Sequence, residues 1–492
     1  MVAILVLLIG LPVFGASVVA GLRQRAVRVV SVVTALITLG LSTWAVVVAY
    51  PAPFERVFGQ MPWLKGLKTV GLFGVMIDPL TSLMLVVITG VGFLVVLYST
   101  GYLSDRNREH DLSEGQARYH FWLLLFVGAM VGVAVSPNLL QLFIFWELTT
   151  LCSWALISHT REEKALRAGF KALIVTHVGG LFFLVSLFIL FITTQSFGFD
   201  ALARLGPGLR NLVFIFLLVA AWAKAAQIPF HTWLPDAMEA PTPISAYLHA
   251  AAMVKAGVYL IARVVSSSWS MPHSMGLVTA IMALVTMFMA LSLYFAQDDL
   301  KRLLAYSTIA HLGYVLLGIG MGVLGSENAF RGGVLHIITH GFAKSTLFLS
   351  AGAVAYATGT RSISQLGGLG RKLPVVGLAF VVGVLAVTGV PPLACFWSKF
   401  YLLTGAMQLG GGLGPVILGL VLLESLVSFA WFLRIAHKVF LGEPTATVLA
   451  IKDDAVLPFQ MHIALSVLII MCAVAPIIGI PLIAHVSYAP MP

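Results

Sequence analysis

Apolar runs long enough to cross a bilayer as helices recur from one end of this chain to the other. They fall at about 2–20, 29–50, 72–98, 119–135, 138–158, 168–193, 211–235, 244–264, 275–296, 303–323, 332–357, 374–403, 415–440 and 458–486. Only 10% of the residues are charged and 60% are hydrophobic, whereas soluble domains carry roughly 25% charged residues. A backbone in hydrocarbon must satisfy its own polar groups, and helices do this within one segment. The expectation is an all-α, polytopic membrane protein of about fourteen transmembrane helices. The first run has neither a positive leading region nor a clear small-residue cleavage site, so it reads as a retained helix.

A net charge of +10 could point to nucleic acid, but the placement of the basic residues assigns it to topology. With Arg23, Arg25 and Arg28 set on the cytoplasmic side, alternating loops put Arg106, Arg108, Arg118, Arg161, Lys164, Arg167, Lys301, Arg302, Arg361, Arg371, Lys372, Lys438 and Lys452 there too. Six lie opposite: Arg56, Lys65, Lys68, Arg204, Arg210 and Arg331. That asymmetry is a positive-inside signature and sets both termini outside. Cys152, Cys395 and Cys472 sit in apolar segments without CxxC spacing, which fits small buried hydrophobes and offers no cluster or zinc site.

No long linker divides the chain, so one continuous bundle is expected. Its irregularities are two proline interruptions, at Pro229 in QIPF and at Pro391 and Pro392 in GVPP. Proline removes a backbone donor and clashes with the preceding turn, so each helix should break there. Paired broken helices point to inverted repeats with a site near the midplane. The corresponding division is 1–118 for three N-terminal helices, 119–264 and 265–440 for two repeats, and 441–492 for a C-terminal helix.

Buried charge then marks the chemistry. Lys224 and Lys255 lie inside apolar runs, at a cost of at least ~2.5–3.5 kcal/mol each on insertion scales. Glu147, isolated among aromatics and leucines in QLFIFWELTTLCSW, is the natural partner for Lys224. Such a pair at ~4 Å attracts by about 4 kcal/mol at an effective dielectric near 20. His336, His340 and Lys344 follow one another at four-residue steps and so share a helix face. Histidine titrates in the range that cells use, which suits a proton relay. His249 precedes Lys255 by six residues, nearly opposite in helical angle, while His177 and His311 stand singly on apolar faces; relay and satisfied core both fit these three. Lys399 follows the second break by seven residues, and Glu424 is an acid that either faces Lys399 or is protonated and hydrogen-bonded locally. The histidine spacing also suits a metal, but with no carboxylate or cysteine in that segment and a lysine next in line, no metal is expected.

The motifs FWELTTLCSW (145–154), AKAAQIPFHTWLPDAMEAPTPISAYLHAAAMVKAG (223–257), LKRLLAYSTIAHLGY (300–314), HIITHGFAKSTLFLSAG (336–352) and GVPPLACFWSKF (389–400) occur here in that order. In them the chain resembles the antiporter-like membrane subunits shared by complex I, Mrp-type Na+/H+ antiporters and membrane-bound energy-converting hydrogenases. The resemblance spans about residues 72–440. It implies that Glu147 and Lys224 are an input pair, that Lys255, His336 and His340 form a central axis, and that Lys399 is the output residue. The family often has glutamine where His311 stands, and Glu424 lies where no acid is expected. The chain also ends soon after its fourteenth run, without a long lateral helix, which leans towards a hydrogenase-like or other complex I-related assembly. The implied function is translocation of protons, or of Na+ against protons, within a multisubunit redox-driven or Mrp-type complex. A stand-alone transporter of a small solute is the alternative. No cofactor is expected in this chain; the partners are other membrane subunits, the lipid bilayer and protons or Na+, with no nucleic acid. The expected location is a prokaryotic inner (plasma) membrane.

Overall fold

The computed structural model describes residues 2–50, 53–60, 71–451 and 457–488. Of the basic residues sorted above, Lys65, Lys68 and Lys452 lie outside these. The chain opens with α1 (Val2–Val19) and α2 (Gln24–Ala49), then a hairpin of β1 (Phe54–Gln60) and β2 (Gly71–Ile77), and α3 (Pro79–Tyr102). Next come α4 (Gln116–Val135), α5 (Leu139–Ile157), α6 (Glu163–Thr194), α7 (Pro207–Lys224), a short α8 (Trp233–Asp236), α9 (Thr242–Ala250) and α10 (Met253–Ser268). The second half holds α11 (His273–Tyr294), α12 (Leu300–Val323), α13 (Glu327–Thr358), α14 (Pro374–Thr388), α15 (Ala394–Gln408), α16 (Leu413–Ala436), a short α17 (Ala446–Leu449) and α18 (Phe459–Ala484). Among the described residues, eleven helical segments are long and apolar enough to span a membrane. The protein is an all-α polytopic membrane protein with one small hairpin.

That hairpin corrects the reading of 72–98 as one helix. Residues 71–77 pair antiparallel with 54–60, Phe54 opposite Ile77. The helix starts only at Pro79, where proline loses nothing by lacking an N–H, and the Asp78 carboxylate accepts from Thr81 N at 2.8 Å. At the other end of the chain His485 meets Tyr50 edge-on, ring centroids 5.5 Å apart, so the ends of α2 and α18 lie on one side of the bundle.

Both proline breaks are present. Helix α7 stops at Lys224, and residues 225–229 leave helical geometry before a 3-10 turn leads into α8. Helix α14 stops at Thr388, and Gly389, at φ 94°, turns the chain through Val390–Pro392 into α15. A third break has no proline: α9 ends at Ala250 and α10 begins at Met253, with Ala251 and Ala252 both donating to Tyr247 O at 3.1 and 2.9 Å. The run 244–264, expected to be continuous, is therefore two helices, and Lys255 stands in the first turn of the second.

The centre of the bundle is α9–α10, α12 and α13, enclosed by the other helices. Close approach depends on small residues, as in other membrane bundles. A Cβ on Gly318 of α12 would lie 2.5 Å from Ala329 O and 2.7 Å from Gly333 Cα of α13.

On the Arg23 side the loops are tied by ions. Arg361 Nε lies 3.3 Å from Glu109 and 3.2 Å from Asp299, and its Nη1 donates to Met238 O at 2.8 Å. Burial alone would lower the pKa of Arg361, but the carboxylates of Asp299, Glu109 and Glu239 outweigh it and hold the value above the ordinary arginine range. This knot joins the loop after α3, the connector from α8 to α9, the start of α12 and the loop after α13. Arg361→Ala should cost about 2–3 kcal/mol, below a fully enclosed pair because part of the group meets water. A fall in the thermal unfolding midpoint in detergent checks it, and an unchanged midpoint would mean that solvent screens the knot.

Candidate functional site

Lys224, the last residue of α7, is fully enclosed. Its ammonium donates to Trp146 O at 2.9 Å and Thr150 Oγ1 at 2.6 Å on α5, and lies 4.8 Å from the Trp146 ring centre. The expected contact with Glu147 is not made. Glu147 points the other way along α5 and takes His177 Nδ1 of α6 at 2.7 Å. Gly180, one turn along α6, leaves room for it: a Cβ there would sit 2.1 Å from Glu147 Oε1. The reason is angular. Residue 147 lies 100° around the helix from Trp146, whose carbonyl and neighbouring Thr150 face α7. His177, which stood alone in the sequence, thus gains a partner that only the packing of two helices supplies.

The central group is tighter. Lys255 Nζ donates to Ile337 O and lies 3.4 Å from His340 Nδ1. His311 Nδ1 meets His336 Nε2 at 3.0 Å, with the two rings parallel and centroids 5.2 Å apart. His340 stacks on His311 at 5.1 Å, and His336 Nδ1 reaches Ser398 Oγ of α15 at 2.7 Å. His311 is therefore a member of the line, brought in by α12. Gln227, in the first break, donates to Ala225 O at 3.0 Å and to Ile309 O at 3.3 Å, which ties the break to the segment carrying His311.

At the far end Lys399 Nζ donates to Thr388 O and Ser425 Oγ, each at 3.1 Å. Thr388 is the last residue of α14, so the ammonium caps a carbonyl that the break sets free. Glu424 does not touch Lys399 directly. Tyr314 OH donates to its carboxylate and lies 2.8 Å from Ser425 Oγ, while the Tyr314 ring sits 4.7 Å beneath the Lys399 ammonium. The same ring stacks on His311 and His336, each at 5.4 Å. Tyr314 therefore joins the central histidines to the Lys399–Glu424 end. It carried no sequence signal beyond its place one turn after His311, and Ser398 and Ser425 carried none beyond standing next to Lys399 and Glu424.

Two predicted members stand apart. His249 is enclosed and lies against Phe348 with ring centroids 4.6 Å apart and planes tilted by 41°, and neither ring nitrogen has a hydrogen-bond partner among the described residues. Lys344 continues the His336–His340 face but donates to Leu304 O at 3.2 Å.

Among the described residues, eleven segments long and apolar enough to span a membrane surround an enclosed line of lysine, histidine, tyrosine and glutamate, the architecture of a polytopic membrane protein. The chain belongs to the NADH:quinone oxidoreductase/Mrp antiporter transmembrane family, whose model matches residues 136–425. A second model, the N-terminus of chain 5 of NADH-ubiquinone oxidoreductase (complex I), matches residues 63–119. The chain is 36% identical over 446 residues to the chloroplastic NAD(P)H-quinone oxidoreductase subunit 5 of Anthoceros angustus, covering 85% of this chain and 58% of that one. It is 40% identical over 358 residues to the corresponding protein of Chaetosphaeridium globosum, covering 69% of this chain and 51% of that one. The chain thus spans a little over half the length of these curated relatives. Among solved structures, a chain of the Mrp complex from Dietzia sp. DQ12-45-1b superposes with a TM-score of 0.84 at 28% identity, over 98% of this chain and 51% of that one. A chain of the membrane-bound sulfane sulfur reductase, an archaeal respiratory membrane complex, gives 0.82 at 26%, over 98% and 97%. The relatives' names correct the expected location. They are chloroplast proteins, which overturns a prokaryotic plasma membrane and leaves the multi-pass character standing.

The Tyr314 bridge has a direct test. Tyr314→Phe removes the hydroxyl shared by Glu424 and Ser425, and should cost about 1–3 kcal/mol because a buried acceptor loses its donor. Combined with Ser425→Ala in a double-mutant cycle of thermal unfolding, it should show a coupling of at least ~0.5 kcal/mol. Strict additivity would mean that the hydroxyl does not join the two residues.

Proposed function

We propose that the chain is an antiporter-like, ion-translocating subunit of a larger membrane complex, moving protons or exchanging Na+ for protons. The observation that carries this is the succession Lys255–His340–His311–His336–Ser398, polar contacts except where His340 meets His311 by ring stacking, continued through the stacked ring of Tyr314 to Lys399, Ser425 and Glu424. Each imidazole can accept a proton on one ring nitrogen and release it from the other. His336 is placed for this, with one nitrogen facing His311 and the other facing Ser398.

Glu147 and Lys224 act as the input in this reading. Lys224 rests on two neutral oxygens and an aromatic face, so a swing to Glu147 exchanges neutral acceptors for a charged one. That exchange favours the protonated lysine, and its reversal favours proton loss. Lys399 is the output, held where the broken helix opens the backbone. The division into an N-terminal group, repeats at 119–264 and 265–440, and a C-terminal helix is part of the proposal. It is supported by the 32-residue helices α6 and α13, each of which is followed by a broken helix.

Partner subunits are supported by an exposed polar pair. The His177 side chain is 56% exposed and hydrogen-bonded to Glu147, on a face otherwise showing Phe170, Ile174, Leu181 and Phe188. Facing hydrocarbon there is costly for a pair that can ionise, and a neighbouring subunit over this face removes the cost. The names of the relatives and structural neighbours, all parts of membrane complexes, point the same way. Redox groups, where such a complex uses them, would belong to the partners.

Glu147→Gln should leave the complex assembled and lower coupled translocation at least about tenfold, since the lysine loses the charge that attracts it. Lys399→Arg should do the same, because arginine stays protonated and cannot release its proton. Proton and Na+ uptake by vesicles containing the complex are the readouts. Wild-type rates in both variants would remove these residues from the path.

A further inference from the structure

A groove of about 520 Å³ lies on the Arg23 side, between the start of α14 and the π-helical turn His437–Leu441 that follows α16. It is separate from the line of lysines and histidines. Gly368, Gly370 and Gly377 form part of its floor, and Leu378, Val381, Phe440 and Leu441 its apolar walls. The glycines are required by contact: a Cβ on Gly368 would lie 2.7 Å from Pro444 N, and one on Gly370 would lie 2.7 Å from Phe440 O. Arg371 stands at the rim with Lys372 beside it, and Glu443 also lines the groove. Neither the Arg371 guanidinium nor the Glu443 carboxylate has an ion pair among the described residues.

We infer that this groove binds one anionic glycerophospholipid, phosphatidylglycerol in chemistry. Its phosphate sits on Arg371, its headgroup hydroxyls donate to Glu443, and one acyl chain lies along Gly377 towards Val381. Three features meet here. The groove opens where the basic loops place the lipid headgroups, so a phosphate and a guanidinium lie at the same depth. Arginine presents paired donors that match phosphate oxygens, and this one is exposed and uncommitted. The apolar walls run from that rim along α14 into the hydrocarbon, past a glycine floor on which methylenes can lie against backbone. A soluble anion would use the rim and leave the apolar part empty. Exposed apolar side chains are ordinary on a membrane protein, but a charged rim leading into a glycine-floored apolar slot is not explained by contact with bulk lipid alone.

The test is native mass spectrometry on the purified complex, delipidated and then titrated with phosphatidylglycerol or phosphatidylcholine in micelles. One phosphatidylglycerol should bind with preference over phosphatidylcholine. Arg371→Ala, at an exposed position that should not disturb folding, should weaken it about fivefold, the effect of one basic residue at a lipid surface. Gly377→Leu, which fills the floor next to Phe440, should abolish it. Equal binding of both lipids, or unchanged phosphatidylglycerol binding in Arg371→Ala, overturns the inference. So does a Gly377→Leu variant that loses a protein partner while keeping its lipid, since the groove would then seat a subunit.

Discussion

Every enclosed lysine among the described residues is held by a main-chain carbonyl. Lys224 uses Trp146 O, Lys255 Ile337 O, Lys301 Ala240 O, Lys344 Leu304 O and Lys399 Thr388 O. An ammonium taken out of water costs several kcal/mol unless its donors are met. A carboxylate would meet them and also fix the charge, because removing either partner's charge strands the other. A carbonyl is neutral and accepts from an amine as well as from an ammonium. The lysines can therefore lose and regain a proton without leaving an uncompensated ion behind. The proposed path depends on this choice of acceptor.

Aromatic faces extend the same principle. Trp146 lies under Lys224, Tyr314 under Lys399 and Phe432 under Lys344, at 4.7–5.8 Å. A ring face stabilises a cation by about 0.5–2 kcal/mol, enough to ease burial and too little to trap the charge. Lys255 has an imidazole in that place. His340 can take up a proton, which a benzene ring cannot, and this sets the centre of the line apart from its two ends.

How far the sequence discloses this follows from which signals are local. The breaks at Pro229 and Pro391 were legible because proline carries its own backbone rule. The break at Ala251–Ala252 was not, since alanine is the best helix former and the distortion shows only in two amides sharing the Tyr247 carbonyl. The lysines and the His336–His340 stripe were legible through the cost of burial and a four-residue spacing. Partners on other helices were not. Glu147 looked like the mate of Lys224, yet two positions adjacent on a helix face 100° apart, and the carbonyl of Trp146 took the lysine while the carboxylate took His177. Tyr314 was hidden for the opposite reason: tyrosine in an apolar run reads as ordinary core until its hydroxyl is seen between Glu424 and Ser425.

Ion pairs that do fix charge lie at the two faces of the bundle. On one side Arg361 binds Glu109 and Asp299, and on the other Arg263 binds Asp78 with Nη2 to Oδ1 at 2.9 Å and Thr81 Oγ1 at 2.7 Å. Burial would raise the pKa of Asp78, but the Arg263 guanidinium outweighs it and keeps the carboxyl below its usual range. These pairs join elements far apart in sequence and resist a change of charge. Between them, the acceptors that the enclosed lysines use are carbonyls, hydroxyls and rings. A bundle stiffened by arginine–carboxylate contacts at its faces can let lysines and histidines change charge at its centre without loosening its frame. The reverse arrangement would fix charge in the middle and leave the ends free to come apart.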